Sequence, residues 1–381
     1  MDFNYSEEQL LVQKTAREFA AEQLAPGVAD RDEKMEFPSE QIKMLGEMGF
    51  MGMMVPEEWG GSGFDTVSYS LALEEIAKID ASAAVPVSVN NSLVCVLLYK
   101  YGTDDQKEKY LRKLATGEWL GAFSLSEPQA GSDASNLLTH AEKSGDQYII
   151  NGTKNWVSNG VNSNIAFVFA VTEKGAGHHG ITVFAVTKES DGFTTGKKEN
   201  KLGIRGSDTC ELYFDDCTVP VENRIGKEGD GFKIAMSVLD GGRIGIASQA
   251  LGIAQAALES AITYANERKQ FGKQISSFGA VKEKIAKMAT EITSARLLTH
   301  YAASLKDEEK PFSKESAMAK YYASEVAMSA ATECVQIFGG YGYMRDYGVE
   351  RLMRDAKITQ IYEGTSEIQK LVIARSMLER T

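Results

Sequence analysis

Metal ligands and disulfide partners are scarce in this sequence. Only four histidines and four cysteines occur among 381 residues. Cys95, Cys210, Cys217 and Cys334 are scattered and form no C-x-x-C pair. They read as buried thiols of a reducing compartment, not as a disulfide frame or a zinc site. His178 and His179 are adjacent, unlike the i,i+4 pair of an H-E-x-x-H helix, and His140 and His300 stand apart. No metal site is expected. There is no G-x-x-x-x-G-K-[ST] phosphate loop and no G-x-S-x-G nucleophile elbow. Positive charge is also in deficit: 41 Lys+Arg against 53 Asp+Glu give a net charge of −12. That excludes a general nucleic-acid surface and confines any phosphate site to local contacts.

Targeting and membrane segments are missing too. Residues 1–9 hold three acids and no apolar run, which fits neither a signal peptide nor a basic transit peptide. One uncharged stretch, Ala81–Tyr99, has the length to cross a bilayer. It carries Pro86, Asn90, Asn91 and three serines, all costly in hydrocarbon. A buried helix of a soluble protein is expected, with no membrane insertion. A last absence concerns GAGHHG (175–180), which satisfies G-x-G-x-x-G. That pattern binds a dinucleotide only between a strand and a helix. Here one β-rich run precedes it and another follows, so a hairpin loop is expected.

What is present falls into three parts. Ser6 with Gln9 and Thr103 with Gln106 form capping boxes. Helical spacing occupies Ser39 to Gly49, Thr66–Asp80 and Ala81–Tyr99 around a GGSGFD loop (60–65). From about residue 119 to 225 come short β-rich runs, QYIING, NIAFVFAVT, GITVFAVTK and CELYFDD. No helical period long enough for βαβ units lies among them, which argues against a Rossmann fold. Helical spacing returns over 232–267, 278–306 and 313–338 in Ala- and Met-rich stretches suited to a bundle. The expected class is α+β: an N-terminal helical domain (1–118), a middle antiparallel β domain (119–228) and a C-terminal four-helix-bundle domain (229–381).

Several segments invite chemistry. FSLSEPQAGSD (123–133) surrounds a Pro-x-x-Gly turn with hydroxyls at Ser124, Ser126 and Ser132. Such a loop suits a planar cofactor edge or a pyrophosphate, and equally an ordinary surface turn. In NGTKNWVSNG (151–160), Trp156 could be a core residue or a wall for a planar ring. LDGGRIGIA (239–247) puts Gly241 and Gly242 inside a helix, where each costs roughly 1 kcal/mol relative to Ala. Close approach by a ligand or another backbone is one reason to keep them. Arg243, one turn from Asp240, could be an i,i+3 ion-pair partner or a phosphate ligand. In RDAKITQIYEGTSEIQ (354–369), Gly364 lets the backbone turn and free the Glu363 carboxylate at a helix end, although a glutamate there is commonly a surface residue. QIFGGYGY (336–343) reads as a C-cap and turn.

Taken in order, FSLSEPQAGSD, NGTKNWVSNG, LDGGRIGIA, ERKQFGK, QIFGGYGY and RDAKITQIYEGTSE resemble the acyl-CoA dehydrogenase family over essentially the whole chain. The resemblance is strongest to the short-chain, butyryl-CoA type of bacterial enzyme. It implies bound FAD, with Phe123, Leu125, Ser126, Ser132, Trp156, Val157 and Ser158 lining the flavin. Ser132 would lie where cofactor and CoA meet. Asp240, Arg243 and Gly364 would contact substrate. Thr365, Ser366 and Glu367 would also touch FAD. Arg268, Gln336, Ile337, Gly339 and Gly340 would reach the FAD of a neighbouring subunit in a homotetramer, a dimer of dimers. Glu363 would remove the α-proton of an acyl-CoA while the β-hydrogen leaves as hydride to the flavin, and electron transfer flavoprotein would take the electrons. Where some relatives carry the base just before the residue matching Arg243, this chain has Gly242, which supports Glu363. A cytoplasmic bacterial protein is implied. An acyl-CoA oxidase, a dehydrogenase for branched, cyclic or aromatic acyl groups, or a silent acyl-CoA-binding scaffold are the alternatives. One departure stands out: after ERKQFGK the family usually has Phe-Gln-Ala, and this chain has Phe278-Gly279-Ala280.

Overall fold

The computed structural model describes residues 4–378; the first three residues of the acidic N-terminal segment lie outside that range. Helices run first: α1 (Glu7–Phe19, extended by a π-turn Ala20–Leu24), α2 (Val28–Lys34), α3 (Ser39–Glu47), α4 (Thr66–Ile79) and α5 (Ala81–Ser88). The chain then passes through a π-helical segment, Val89–Cys95, into α6 (Val96–Tyr101). α7 (Asp104–Gln106) and α8 (Arg112–Ala115), joined by a π-turn at Lys107–Leu111, close this part. Both expected capping boxes form, at Ser6/Gln9 and Thr103/Gln106. The α2 helix was not visible in the sequence, because its seven residues, VADRDEK, present no apolar period.

The Ala81–Tyr101 stretch is apolar and long enough to span a bilayer, yet its 18-residue apolar window is wholly buried inside the protein and only its last three residues reach the surface. Its asparagines explain why. Asn90 Nδ2 donates to Met51 O and Leu114 O at 2.8 and 2.9 Å, and Asn90 Oδ1 accepts from Gly121 N at 3.1 Å. Asn91 Oδ1 accepts from Met53 N at 2.7 Å while its amide donates to Phe50 O and Val87 O. Buried amides this fully paired tie the 50–53 loop and the first strand to the helix.

The strands are β1 (Gly121–Ser124), β2 (His140–Ser144), β3 (Gln147–Ser158), β4 (Ile165–Val171), β5 (Ile181–Thr187), β6 (Phe193–Thr195), β7 (Thr209–Pro220) and β8 (Arg224–Ile225). They make one sheet in the order β6-β7-β3-β2-β4-β5-β8, with β1 on β4. Pairing is antiparallel except that β1 and β2 each run parallel to β4. The β1–β4 connection is the β2–β3 hairpin instead of a helix, so a parallel pair arises without a βαβ unit. GAGHHG is the β4–β5 hairpin connection, as expected, with a 3₁₀ turn at Gly177–Gly180.

Three long helices follow: α9 (Gly231–Glu267), α10 (Gly279–Asp307) and α11 (Ser313–Phe338), then α12 (Val349–Thr359) and α13 (Ser366–Leu378). Between α9 and α10 a two-residue ribbon pairs β9 (Lys269–Gln270) with β10 (Lys273–Gln274). One apolar core joins the parts: Leu93 and Leu97 from the buried helix, Phe167 and Val183 from the sheet, and Leu251, Ile292 and Ala323 from the long helices belong to a single cluster. The class is α+β, with helical ends around a sheet.

Candidate active site

Glu363 stands in the link between α12 and α13 at φ +50°, followed by Gly364 at φ +91°. A non-glycine residue at positive φ is held there by its surroundings. The residue as a whole is half-buried, but its Oε2 is closed off from solvent and has no hydrogen-bond partner. That oxygen lies against Gly242 so closely that any Cβ at position 242 would collide with it. The two helical glycines noted in the sequence thus differ in use. Gly242 makes room for the carboxylate and for Leu93, while a Cβ at Gly241 would meet only the Lys306 side chain in ordinary contact.

Burial pushes the Glu363 carboxyl from 4.5 up to about 7, with the charges of Lys320 and Arg243 pulling it part of the way back. Such a group is ionised in an appreciable fraction near neutrality and, being unpaired, is free to take a proton. Tyr362 turns the other way and donates its hydroxyl to Gln249 Oε1 on α9. Behind them Tyr69 Oη donates to Ser88 Oγ at 3.1 Å, and both pack where Gly245 lacks a Cβ.

Arg243 makes the expected i,i+3 pair with Asp240, Nη1 to Oδ1 at 2.5 Å, and Ser313 donates to the same oxygen at 3.0 Å. The Arg243 Nε is nonetheless buried and unpartnered. Burial outweighs Asp240 and lowers the guanidinium's pKa. The ion pair therefore leaves one guanidinium donor unsatisfied.

The two hydroxyl-rich segments come together. Asn155 N donates to Ser126 O at 2.9 Å, and Lys154 Nζ donates to Leu125 O at 3.0 Å and to Glu127 Oε1 at 2.7 Å. A register shift between Lys154 and Val157 in the β3–β7 ladder throws Trp156 out of the sheet at φ +59°, as bulges re-aim side chains. The residue is 63 % exposed, so it is no core tryptophan. Ser124 Oγ is buried without a partner. An open indole face, an orphaned hydroxyl and adjoining loop amides fit a planar cofactor with a polar edge. Not every expected residue presents a side chain there. Val157 is buried in the sheet's other face, and Phe123 packs on Phe169 with ring centroids 4.9 Å apart. Ser126 is half-buried, Ser158 likewise, and Ser132 is exposed at the loop tip.

Arg268, Ile337, Gly339 and Gly340 gather elsewhere, lining an open cavity of about 590 Å³ with Tyr264 and Tyr341. The Arg268 guanidinium lies over the Tyr341 ring, 5.2 Å from its centroid. A Cβ at Gly339 or Gly340 would meet nothing within 4 Å. Gln336 is exposed beside them. Among the described residues no hydrogen bond, ion pair or ring contact joins this group to Glu363 or to the 123–132 loop. Of the three residues opening α13, Glu367 is exposed, Thr365 caps the helix by accepting from Ile368 N, and Ser366 turns inward to donate to Glu325 at 2.7 Å.

The match to known proteins covers this whole arrangement. Residues 6–118, 122–217 and 229–378 match the N-terminal, middle and C-terminal domains of acyl-CoA dehydrogenase. The chain belongs to the acyl-CoA dehydrogenase family. It is 50% identical over 374 residues to the short-chain-specific acyl-CoA dehydrogenase of Clostridium acetobutylicum, covering 98% of this chain and 99% of that one. The butyryl-CoA dehydrogenase structure from Megasphaera elsdenii superposes with a TM-score of 0.98 at 50% identity, covering 100% of both chains. A chain solved in work on the electron transferring flavoprotein of Acidaminococcus fermentans gives 0.98 at 51% identity, again covering 100% of both.

For an acyl-CoA dehydrogenase the sequence motifs left out several residues that shape the site. Lys154 and Glu127 sat inside quoted motifs with no sign that they pair across 27 residues. Tyr362 and Gln369 lay inside the quoted 354–369 segment with no role read for them, and Lys320 and Gln249 lay outside every quoted segment. A signal for Lys320 existed in the periodicity: Ser316, Ala323, Ser324 and Ala327 are buried on α11, and Lys320 falls on that face.

Proposed function

We propose that this acyl-CoA dehydrogenase oxidises a short-chain acyl-CoA, butyryl-CoA being the reference substrate, to the trans-2-enoyl-CoA, with Glu363 as the base. The observation that carries the reading is the Glu363 carboxylate: unpaired, closed off and held against Gly242. An α-hydrogen beside a thioester is weakly acidic, so its removal needs a base poised near neutral pH in a site without water. The 50% identity to short-chain-specific relatives supports the substrate class.

Trp156, Ser126 and the amides of the 123–132 loop would hold the flavin, with Phe123 and Leu125 shaping its floor and Val157, Ser158 and Thr365–Glu367 contributing backbone or edge contacts. FAD, when bound, supplies the acceptor for the β-hydride. Arg243, with its free Nε, and Asp240 orient the CoA portion, Ser132 lies at the mouth, and the turn at Gly364 lets the thioester approach the base. Arg268, Gln336, Ile337, Gly339 and Gly340 serve the cofactor of a neighbouring subunit; the open cavity they line supports a homotetramer in which sites are shared. We assign electron transfer flavoprotein as the electron acceptor, in keeping with the structural likeness to the Acidaminococcus chain. Four buried, unbonded cysteines support a cytoplasmic setting.

An anaerobic titration of the FAD-loaded protein with a panel of acyl-CoAs tests this reading. Bleaching of the visible flavin band by butyryl-CoA is expected. Bleaching only by branched or cyclic thioesters would move the substrate, and a protein that takes up no FAD would overturn the function.

A further inference from the structure

Two side chains to which the sequence motifs gave no role hold the backbone from which the base projects. Lys320 Nζ donates to Gly364 O at 2.7 Å. Gln369 Nε2 donates to the same oxygen at 2.9 Å and to Glu363 O at 3.1 Å. These carbonyls belong to the two consecutive residues at positive φ, a conformation that glycine takes freely but that Glu363 keeps only where the surroundings over-determine it. Lys320 itself is fully buried on α11 among Ser316, Ala323 and Ser324. Among the described residues no carboxylate is ion-paired to it, and its partner is a neutral carbonyl. Burying an ammonium on such terms is costly, and a residue that only filled space could be apolar.

The charge also acts on the base. Around the Glu363 carboxylate stand Lys320 from α11, Arg243 from α9, Tyr69 from α4 and its own neighbour Tyr362. Of these, Lys320 and Arg243 are the cations, and Arg243 is already committed to Asp240. Glu325 and Glu367 act on Lys320 from α11 and α13.

We propose that Lys320 is a positioning residue for the base: through the Gly364 carbonyl it fixes the left-handed turn that aims the Glu363 carboxylate at Gly242. Its ammonium also favours that carboxylate in ionised form. The proposal rests on Glu363 being the base. Gln369 supplies the second, uncharged clamp on the same turn.

The test compares FAD-loaded wild type, Lys320→Met and Gln369→Leu. The readouts are single-turnover flavin reduction by butyryl-CoA, KM, thermal melting, and the pH at which the Glu363 carboxyl titrates, read by infrared difference against Glu363→Gln. Misplacing a reacting group by about 1 Å can cost on the order of 100-fold. Lys320→Met should therefore lose roughly 10- to 100-fold in single-turnover rate, with KM little changed. It should also move the Glu363 titration to higher pH, because a cation facing the carboxylate is gone. Gln369→Leu should slow the reaction without moving that titration. A Lys320→Met protein that merely melts earlier, with rate or titration unmoved, would overturn the proposal. Should that variant not fold, Lys320→Gln keeps a donor for the carbonyl and removes the charge; an unmoved titration there would overturn it equally. A Glu363→Gln protein with wild-type rate would instead sink the assignment of the base.

Discussion

Glu127 and Glu363 are both carboxylates withdrawn from water, about as differently equipped as two such groups can be. Glu127 accepts from Lys154 Nζ, Thr139 N, Leu138 N and Gln129 Nε2 at 2.6 to 3.0 Å. Burial alone would raise its pKa, but Lys154's charge and these hydrogen bonds outweigh it and hold the carboxyl below its ordinary value. Glu363 has its Oε2 unpaired, and burial wins. One region uses its buried charge to fix the 125–127 loop beside Trp156. The other leaves its charge unsatisfied, where it can accept a proton. Satisfied networks stabilise a fold, and unsatisfied ones mark where chemistry is stored.

The widest separation between the two regions should appear on cutting the satisfied one. Lys154→Met leaves Glu127 buried with its cation removed and is expected to destabilise the protein by about 3–5 kcal/mol. It should also weaken FAD binding through the freed Leu125 carbonyl. Thermal denaturation and a flavin-binding titration check both, and a loss below about 1 kcal/mol would erase the contrast.

The unsatisfied carboxylate should behave oppositely. Because folding raises the Glu363 pKa from 4.5 to about 7, its favourable contribution is fully present below pH 4.5 and is lost as pH rises through 7. Glu363→Gln should therefore make the ligand-free protein more stable at alkaline pH, by on the order of 3 kcal/mol, and make little difference in acid. Melting curves at the two extremes decide it. A destabilised mutant at high pH would mean the carboxylate is paired after all.

The smallest effect concerns the cofactor contact proposed across subunits. Gly279 opens α10 and is exposed, and a Cβ placed on it would meet nothing within 4 Å, so Gly279→Gln is accommodated without strain. One restored neutral hydrogen bond should tighten FAD binding by about 0.5–1.5 kcal/mol. Unchanged affinity would show that this position does not reach the cofactor.

Much of this was legible in the residues. The capping boxes, the hairpin at 175–180 and the buried helix expected over Ala81–Tyr99 followed from local pattern, because each is decided within a turn or two of chain. The parallel β1–β4 pair did not, since register between distant strands leaves no mark in either strand's composition. At the site, Glu363, Gly242 and Trp156 were marked by glycines and motif order. Lys320 and Gln369 were not: the buried face of α11 marks Lys320 as enclosed, but nothing in the sequence says that it holds a carbonyl 44 positions away, and Gln369, which bonds carbonyls five and six residues back, looks like any other polar residue of a helix.

The central claim is that the unpaired Glu363 carboxylate is the base. Its most direct test is kcat/KM for butyryl-CoA against pH in wild type, beside the rate of Glu363→Gln. An acid limb near pH 7 is expected, with activity rising as the carboxyl ionises. A loss of roughly 10²- to 10⁴-fold on substitution is expected as well. A mutant within a few-fold of wild type, still titrating with the same limb, would contradict it.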